Sequence, residues 1–211
     1  MILQINEDHP QPRRIDQVIE TLKAGGLVAY PTDTVYGIGC DIFNKNAVER
    51  LQQLVCEIKG EPKHSPLSFI CKDLSNIAEY AFVSDYAYRS LRRMLPGPYT
   101  FVLEATKLVP RVMRNKRKTV GIRVPDAPIA LAMVDRLGNP VANSSATDRD
   151  GELIPDPWTI EDLYGHAVDL VIDGGYVFPE PSTVIDFSGD YPQLLRQGKG
   201  AVGDLEYVEL I

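Results

Sequence analysis

Between residues 15 and 30 the apolar residues change period, and the same switch recurs along the chain. In "IDQVIETLKAGG", Ile15, Val18, Ile19 and Leu22 stand at helical spacing and the run stops on Gly25-Gly26. "LVAY" follows as a short, wholly apolar strand, then "PTDTVYGIGCD" as a polar, glycine-punctuated loop. "NKNAVERLQQLVCEIK" returns to helical spacing, with Asn44 or Asn46 as cap and Val48, Leu51, Leu54 and Val55 on one face. The alternation continues through the strands "PLSFIC", "YTFVLEA", "KTVGIRVP" and "PVANSS" and the helices "DLSNIAEYA", "DYAYRSLRRML", "PIALAMVDRLG" and "TIEDLYG". Short strands, "VDLVIDGG", "STVIDFSG" and "PQLLRQG", fill the C-terminal third. Interspersed helices and strands predict one α/β (α+β) domain built on a mixed sheet.

The bounds agree with a single domain. The chain has 211 residues, no repeat of 20–50 residues and no low-complexity linker. The final "GDLEYVELI" is too short for a second domain, so residues 1–211 are read as one unit with its core over about 10–200. No apolar run approaches the roughly 18–20 residues that span a bilayer. "MILQINEDHPQPRR" lacks the basic head and apolar stretch of a secretory signal. Cys40, Cys56 and Cys71 are odd in number, widely spaced and without C-x-x-C, against a disulfide framework or zinc site. These features predict a reduced, cytoplasmic protein with no membrane partner.

A net charge of −7 argues against a surface that grips nucleic acid everywhere. "RVMRNKRK", Arg111 to Lys118, nonetheless carries five basic residues in eight and no acid, and Arg89, Arg92 and Arg93 form a second cluster. Local charges within about 10 Å set the field at such a patch, so it can hold a polyanion; two solvated helix faces are the plain alternative.

The familiar nucleotide and hydrolase signatures are missing: there is no G-x-x-x-x-G-K-[ST], and "GIGCDI" lacks the third glycine of a dinucleotide fingerprint. There is no G-x-S-x-G, and His9, His64 and His166 are scattered without metal-ligand spacing. What remains is a set of hydroxyls and cations beside strands: Thr32, Thr34, Lys59, Lys63, Thr119, Arg123, Ser144, Ser145, Thr147, Ser182, Thr183 and Arg196. Gathered at one edge of a sheet, they would suit a triphosphate plus a small carboxylate gripped by an arginine. Singly each has a plainer explanation, since strand-end Ser and Thr form turns and Lys59 suits a helix C-terminus.

"PTDTVYGIGCD", "LPGPYTFVL", "TVGIRVPDAPIA", "PSTVID" and "LLRQGKG" occur in the order of the YrdC/YciO family motifs, and the chain resembles that family over about residues 10–200. The resemblance implies a twisted open α/β sheet with flanking helices and a positively charged cavity. It implies threonylcarbamoyl-adenylate synthase chemistry: L-threonine, bicarbonate and ATP yield threonylcarbamoyl-AMP and pyrophosphate, for threonylcarbamoyladenosine in tRNA. ATP is then a substrate that arrives with Mg2+, with no tightly bound cofactor and no dedicated metal ligands. By the same resemblance Thr34, Ser145 and Ser182 contact threonine and Arg123 takes its carboxylate. Lys59, Thr119, Thr147 and Arg196 serve the nucleotide, with Lys59 and Arg123 carrying the catalytic charge. Some members are described as binding double-stranded RNA; that alternative, RNA or tRNA binding without synthesis, falls here on Arg111, Arg114, Lys116, Arg117 and Lys118.

The sequence departs from the synthase pattern in two places. K-x-R reads Lys59-Gly60-Glu61, and S-x-N reads Ser145-Ala146-Thr147. Ser65 stands where Asn is frequent, and Ile70 where some members have His. At about 6 Å and an effective dielectric of about 20, each unit of reversed charge at position 61 is worth roughly 3 kcal/mol against one phosphate charge, before screening. These departures resemble the YciO branch, and imply a synthase of reduced rate unless Lys63 compensates.

Overall fold

The computed structural model describes residues 1–60, 67–203, 205 and, by backbone alone, 209–210. Glu61, Lys63 and Ser65 lie outside the described residues. The chain begins with β1 (Ile2–Gln4), α1 (Pro12–Lys23), β2 (Val28–Tyr30), β3 (Gly37–Asp41) and α2 (Lys45–Lys59). Next come β4 (Ser68–Ile70), α3 (Leu74–Tyr80), β5 (Ala81–Phe82), α4 (Asp85–Met94), β6 (Tyr99–Ala105), a 3-10 turn (Arg111–Met113) and β7 (Thr119–Arg123). The last third holds α5 (Pro128–Leu137), β8 (Val141–Ser145), α6 (Pro157–Tyr164), β9 (Leu170–Asp173), β10 (Thr183–Asp186), β11 (Gln193–Arg196) and β12 (Glu209–Leu210).

The strands form one mixed sheet in the order β1-β9-β2-β3-β8-β4-β7-β6-β10-β11-β12, with β5 paired to β6. Helix starts follow their side chains. Asn44, Asp73, Ser84 and Asp156 each accept the backbone N–H three residues on, while α1 and α5 open on prolines. Gly138 ends α5 at φ +77°, the left-handed stop that "RLG" predicts.

Alternation along the strands assigns the two faces. Leu27, Ala29, Phe69 and Cys71 join Val48, Leu51 and Leu54 of α2, Ile77 of α3, Leu91 of α4 and Ile160 of α6. Val28, Tyr30 and Ile70 point the other way, into Ile15, Val18 and Leu22 of α1 and Ile129, Met133 and Val134 of α5. The sheet is thus covered on both sides, which is why "LVAY" reads as a continuous apolar run.

Three expectations change. "GIGCD" is a buried central strand rather than a loop. Its glycines admit close neighbours: a Cβ on Gly37 would meet Asn143 Oδ1 at 2.2 Å, and one on Gly39 would meet the Ala142 carbonyl at 2.4 Å. Arg111 to Lys118 is a 3-10 turn and loop, not a helix face, whereas Arg89, Arg92 and Arg93 do lie exposed on α4. The polar strand positions are not gathered at one edge. Ile70 pairs with both Arg123 and Val141, so Ser145 lies four residues along β8 from the Arg123 row, and Thr119 lies four residues back along β7. Mixed pairing spreads them along a face.

Candidate active site

That face is polar because of strand alternation. Val120 and Ile122 enter the core under α2, so Thr119, Gly121 and Arg123 point to the opposite side. On β6, Phe101 and Leu103 do the same, which sends Thr100 outward with them. Beyond the cover of α1 and α5 a hollow of about 780 Å³ opens over Ser68, Thr100, Thr119 and Gly121. Val102, Lys116 and Arg117 also line it, with the backbone around Leu67 and Val120.

Arg123 is buried, 3% exposed, at the end of β7. Its Nη2 donates to Asp33 Oδ1 at 2.8 Å and to Thr34 Oγ1 at 2.8 Å. Burial pulls the Arg123 pKa down, and the Asp33 carboxylate opposes that. Arginine stays charged, so this is a fixed cation held by one carboxylate. Its Nε is buried with no hydrogen-bond partner among the described residues. Asp33 is fixed in turn: Oδ2 accepts the Asp126 N–H at 3.1 Å, and Lys199 Nζ donates to its carbonyl at 2.6 Å.

The Thr34 hydroxyl is oriented by its neighbours. Thr32 Oγ1 donates to the Val35 carbonyl at 2.6 Å, so the 3.0 Å contact between the two threonine hydroxyls has Thr34 as donor. Thr34 thereby keeps acceptor capacity only, suited to an N–H or O–H of a ligand.

Ser182 bonds to Thr100 of the first hollow and to Arg196 of a second one. Its Oγ lies 2.8 Å from Thr100 Oγ1 and accepts Arg196 Nη2 at 3.1 Å, and its carbonyl accepts Arg196 Nε at 3.0 Å. Desolvation, then the charge of Arg123, lowers the Arg196 pKa, so two cations face one region. Arg196 lines a second hollow of about 480 Å³ with Lys59, Ser145, Thr147 and Arg149. Lys59 Nζ donates to Ser144 Oγ at 3.2 Å.

Not every expected residue faces these hollows in the same way. Thr147 lines the second one, yet its Oγ1 is buried and without a partner among the described residues. Thr119 Oγ1 accepts Asn115 Nδ2 at 2.7 Å, leaving its proton free to donate into the first hollow. Arg114 is committed to its own loop: Nε donates to the Val109 carbonyl and Nη2 to the Lys107 carbonyl, each at 2.8 Å. Of the basic segment, Arg111, Lys116, Arg117 and Lys118 remain exposed. Ile70 is wholly buried in the α1–α5 core.

Residues absent from the sequence reading complete the site. Asp33 holds Arg123, and Thr100 holds Ser182. Buried Asn143 accepts the Tyr30 hydroxyl at 2.7 Å and lies beside Ser68. Asp33 was visible as the centre of "TDT", and Asn143 as a polar residue inside an otherwise apolar strand. Among the described residues no group of three His, Cys, Asp or Glu could hold a metal ion, and no helix is long and apolar enough to cross a membrane.

Fold and site together define an α/β protein whose sheet face carries fixed cations and oriented hydroxyls. The chain belongs to the Sua5/YciO/YrdC family: the family model described as telomere recombination matches residues 20–198. It is similar to YciO of Escherichia coli K12, 42% identical over 200 residues covering 94% of this chain and 95% of that protein. The crystal structure of E. coli YciO matches with a TM-score of 0.90 at 41% identity, over 97% of this chain and 98% of that one. The threonylcarbamoyl-AMP synthase of Pyrococcus abyssi is 35% identical over 89% of this chain and 54% of its own length. The crystal structure of P. abyssi Sua5 complexed with L-threonine has a TM-score of 0.84 at 31% identity, covering 94% of this chain and 57% of that one. The chain therefore spans little more than half of the Pyrococcus protein.

Proposed function

We propose that the protein makes threonylcarbamoyl-AMP and pyrophosphate from L-threonine, bicarbonate and ATP, in support of tRNA threonylcarbamoyladenosine formation. The observation that carries this reading is Arg123: a buried guanidinium, braced by Asp33 and Thr34, with an unsatisfied Nε. The guanidinium N–H groups not taken by Asp33 and Thr34 are the donors that an amino-acid carboxylate would use. The relative complexed with L-threonine supports the choice of amino acid.

In this reading the threonine amine and bicarbonate first condense, forming the N–C bond and releasing water. The resulting carbamate is already anionic, so its attack on ATP needs no general base. Its oxygen bonds to the α-phosphorus of ATP as the bond from that phosphorus to the bridging oxygen breaks, and pyrophosphate leaves. The obstacle is the meeting of two anions, so positioning and fixed positive charge do the catalysis. Arg123, Thr34, Ser145 and Ser182 hold the amino acid. Lys59 and Arg196 face the phosphates, and Thr119 lies over the apolar hollow where a nucleoside fits. Magnesium arrives on the triphosphate oxygens. The test is incubation with ATP, magnesium, bicarbonate and threonine, reading product and pyrophosphate. Activity should fall about 100-fold or more in Lys59→Ala; no product above that control overturns the proposal. The double variant Glu61→Arg, Thr147→Asn should raise the rate if those two positions are what slows it.

A second reading is binding of double-stranded RNA or tRNA, favoured by exposed Lys116 and Arg117 lining the larger hollow. Phosphate-led binding weakens steeply with salt. Loss of affinity on neutralising Lys116, Arg117 and Lys118, but not Arg114, is the expected pattern; no detectable binding at low salt removes this reading.

A further inference from the structure

We infer that Arg149 is a third phosphate-binding cation of the smaller hollow, contributed by a hairpin separate from the elements carrying Lys59 and Arg196. This rests on the nucleotide reading of the same site and adds a residue to it. The hollow is lined by Lys59 from the end of α2, Arg196 from the end of β11 and Arg149 from the 147–153 turn. Asp150 is the carboxylate among its described lining residues, so three cations meet one acid.

Arg149 is exposed and has no hydrogen-bond or ion-pair partner among the described residues. Other exposed arginines, among them Arg89, Arg92, Arg93 and Arg111, are likewise without such a partner among the described residues, so what sets Arg149 apart is its place in the hollow. Arg149 lines that hollow together with Lys59 and Arg196 and makes no ion pair with Asp150, its neighbour in sequence.

Its backbone is held in place. Thr147 and Leu153 pair as an antiparallel bridge, and the Asp148 N–H donates to the Glu152 carbonyl at 2.8 Å. Asp148 Oδ1 accepts the N–H groups of Asp150 and Glu152, both at 2.9 Å, and Gly151 takes φ +87° to close the turn. The base is tied down by the Tyr164 hydroxyl, which donates to the Thr147 carbonyl at 3.0 Å. The turn therefore presents a planar, five-donor cation at the mouth of the hollow from a fixed backbone. Such a fork matches adjacent phosphoryl oxygens better than an isolated carboxylate. The chemical class of ligand is a polyphosphate chain, and the residue sets preference for triphosphate over monophosphate.

The experiment measures binding of ATP, inorganic tripolyphosphate and AMP by calorimetry at low and moderate salt. Wild type, Arg149→Ala, Arg149→Lys and the surface control Arg89→Ala are compared. Arg149→Ala should weaken ATP and tripolyphosphate by about 10- to 100-fold and AMP by less than about 3-fold. Arg149→Lys should recover part of the loss, and Arg89→Ala should match wild type. Arg149-dependent binding of tripolyphosphate without any binding of ATP supports the anion site while defeating the nucleotide reading. Wild-type affinity for ATP and tripolyphosphate in Arg149→Ala overturns the inference and leaves the nucleotide reading standing. A wild-type protein that binds neither overturns both.

Discussion

Asp33 Oδ1 and Arg123 Nη2 lie 2.8 Å apart with side chains only 9% and 4% exposed, a fully formed ion pair under the candidate carboxylate site. The carboxylate both neutralises and aims the guanidinium. Removing one partner leaves a buried charge unpaired. Asp33→Ala should destabilise the protein by roughly 3–5 kcal/mol, read from chemical denaturation. Asp33→Asn keeps a hydrogen-bond acceptor and should cost less. Arg123→Lys should retain the fold but weaken threonine binding by about tenfold or more, because a point charge replaces a fork. Equal affinity for threonine in Arg123→Lys would contradict the role given to this residue.

Gly198 tests how tightly the Ser182 end is packed. A Cβ there would sit 2.1 Å from the Pro181 carbonyl oxygen and 2.7 Å from that of Ser182, both backbone atoms that cannot swing aside. Gly198→Ala should cost about 1–3 kcal/mol and shift Ser182 off Thr100 and Arg196. Product formation should drop more than stability alone explains, at a temperature where the variant is fully folded.

Much of this was legible in sequence because helical spacing and strand runs survive into packing: Ile15, Val18, Ile19 and Leu22 are all buried as the period predicts. The motif residues Thr34, Arg123, Ser182 and Arg196 do come together. Asp33 and Asn143 escaped because a polar residue next to a turn or strand end reads as local structure, and only tertiary packing buries it. "GIGCD" escaped because glycine in a strand looks like a loop until the neighbour that needs the space, Asn143, is seen. Arg149 is brought to Lys59 and Arg196 by chain reversal at Gly151, which sequence spacing does not encode.

The thiols give a pH-dependent signature. Burial pushes the Cys40 thiol up to about 12 from 9.0, and raises that of Cys71 as well. Both are buried and free, whereas Cys56 is only partly so. Above pH 9 the unfolded chain loses these protons while the folded one keeps them, so the folded state binds more protons. Stability therefore falls as pH rises through the unfolded value, by up to about 1.4 kcal/mol per pH unit for each thiol. Denaturation at pH 8 and pH 10 should show this slope, and replacing Cys40 and Cys71 by alanine should flatten it. In native protein a thiol reagent at pH 8 should modify Cys56 alone.

Desolvation lowers the pKa of both Arg123 and Arg196, and the charge of Arg123 lowers that of Arg196 further. Two like charges thus share a partly dry setting, with Asp33 paired to one of them. An anion bound between them removes repulsion that the folded state otherwise carries, and it does so only when folded. At a ligand concentration about 100 times the dissociation constant, linkage adds about 2.7 kcal/mol. For a chain of this length that is a rise of roughly 5–10 °C in melting temperature. Threonine with bicarbonate and ATP with magnesium should each raise it, and Arg196→Ala should abolish most of the ATP shift while sparing most of the threonine shift. A common loss of both shifts in Arg196→Ala would instead mean that Ser182, once released by Arg196, no longer holds the amino acid.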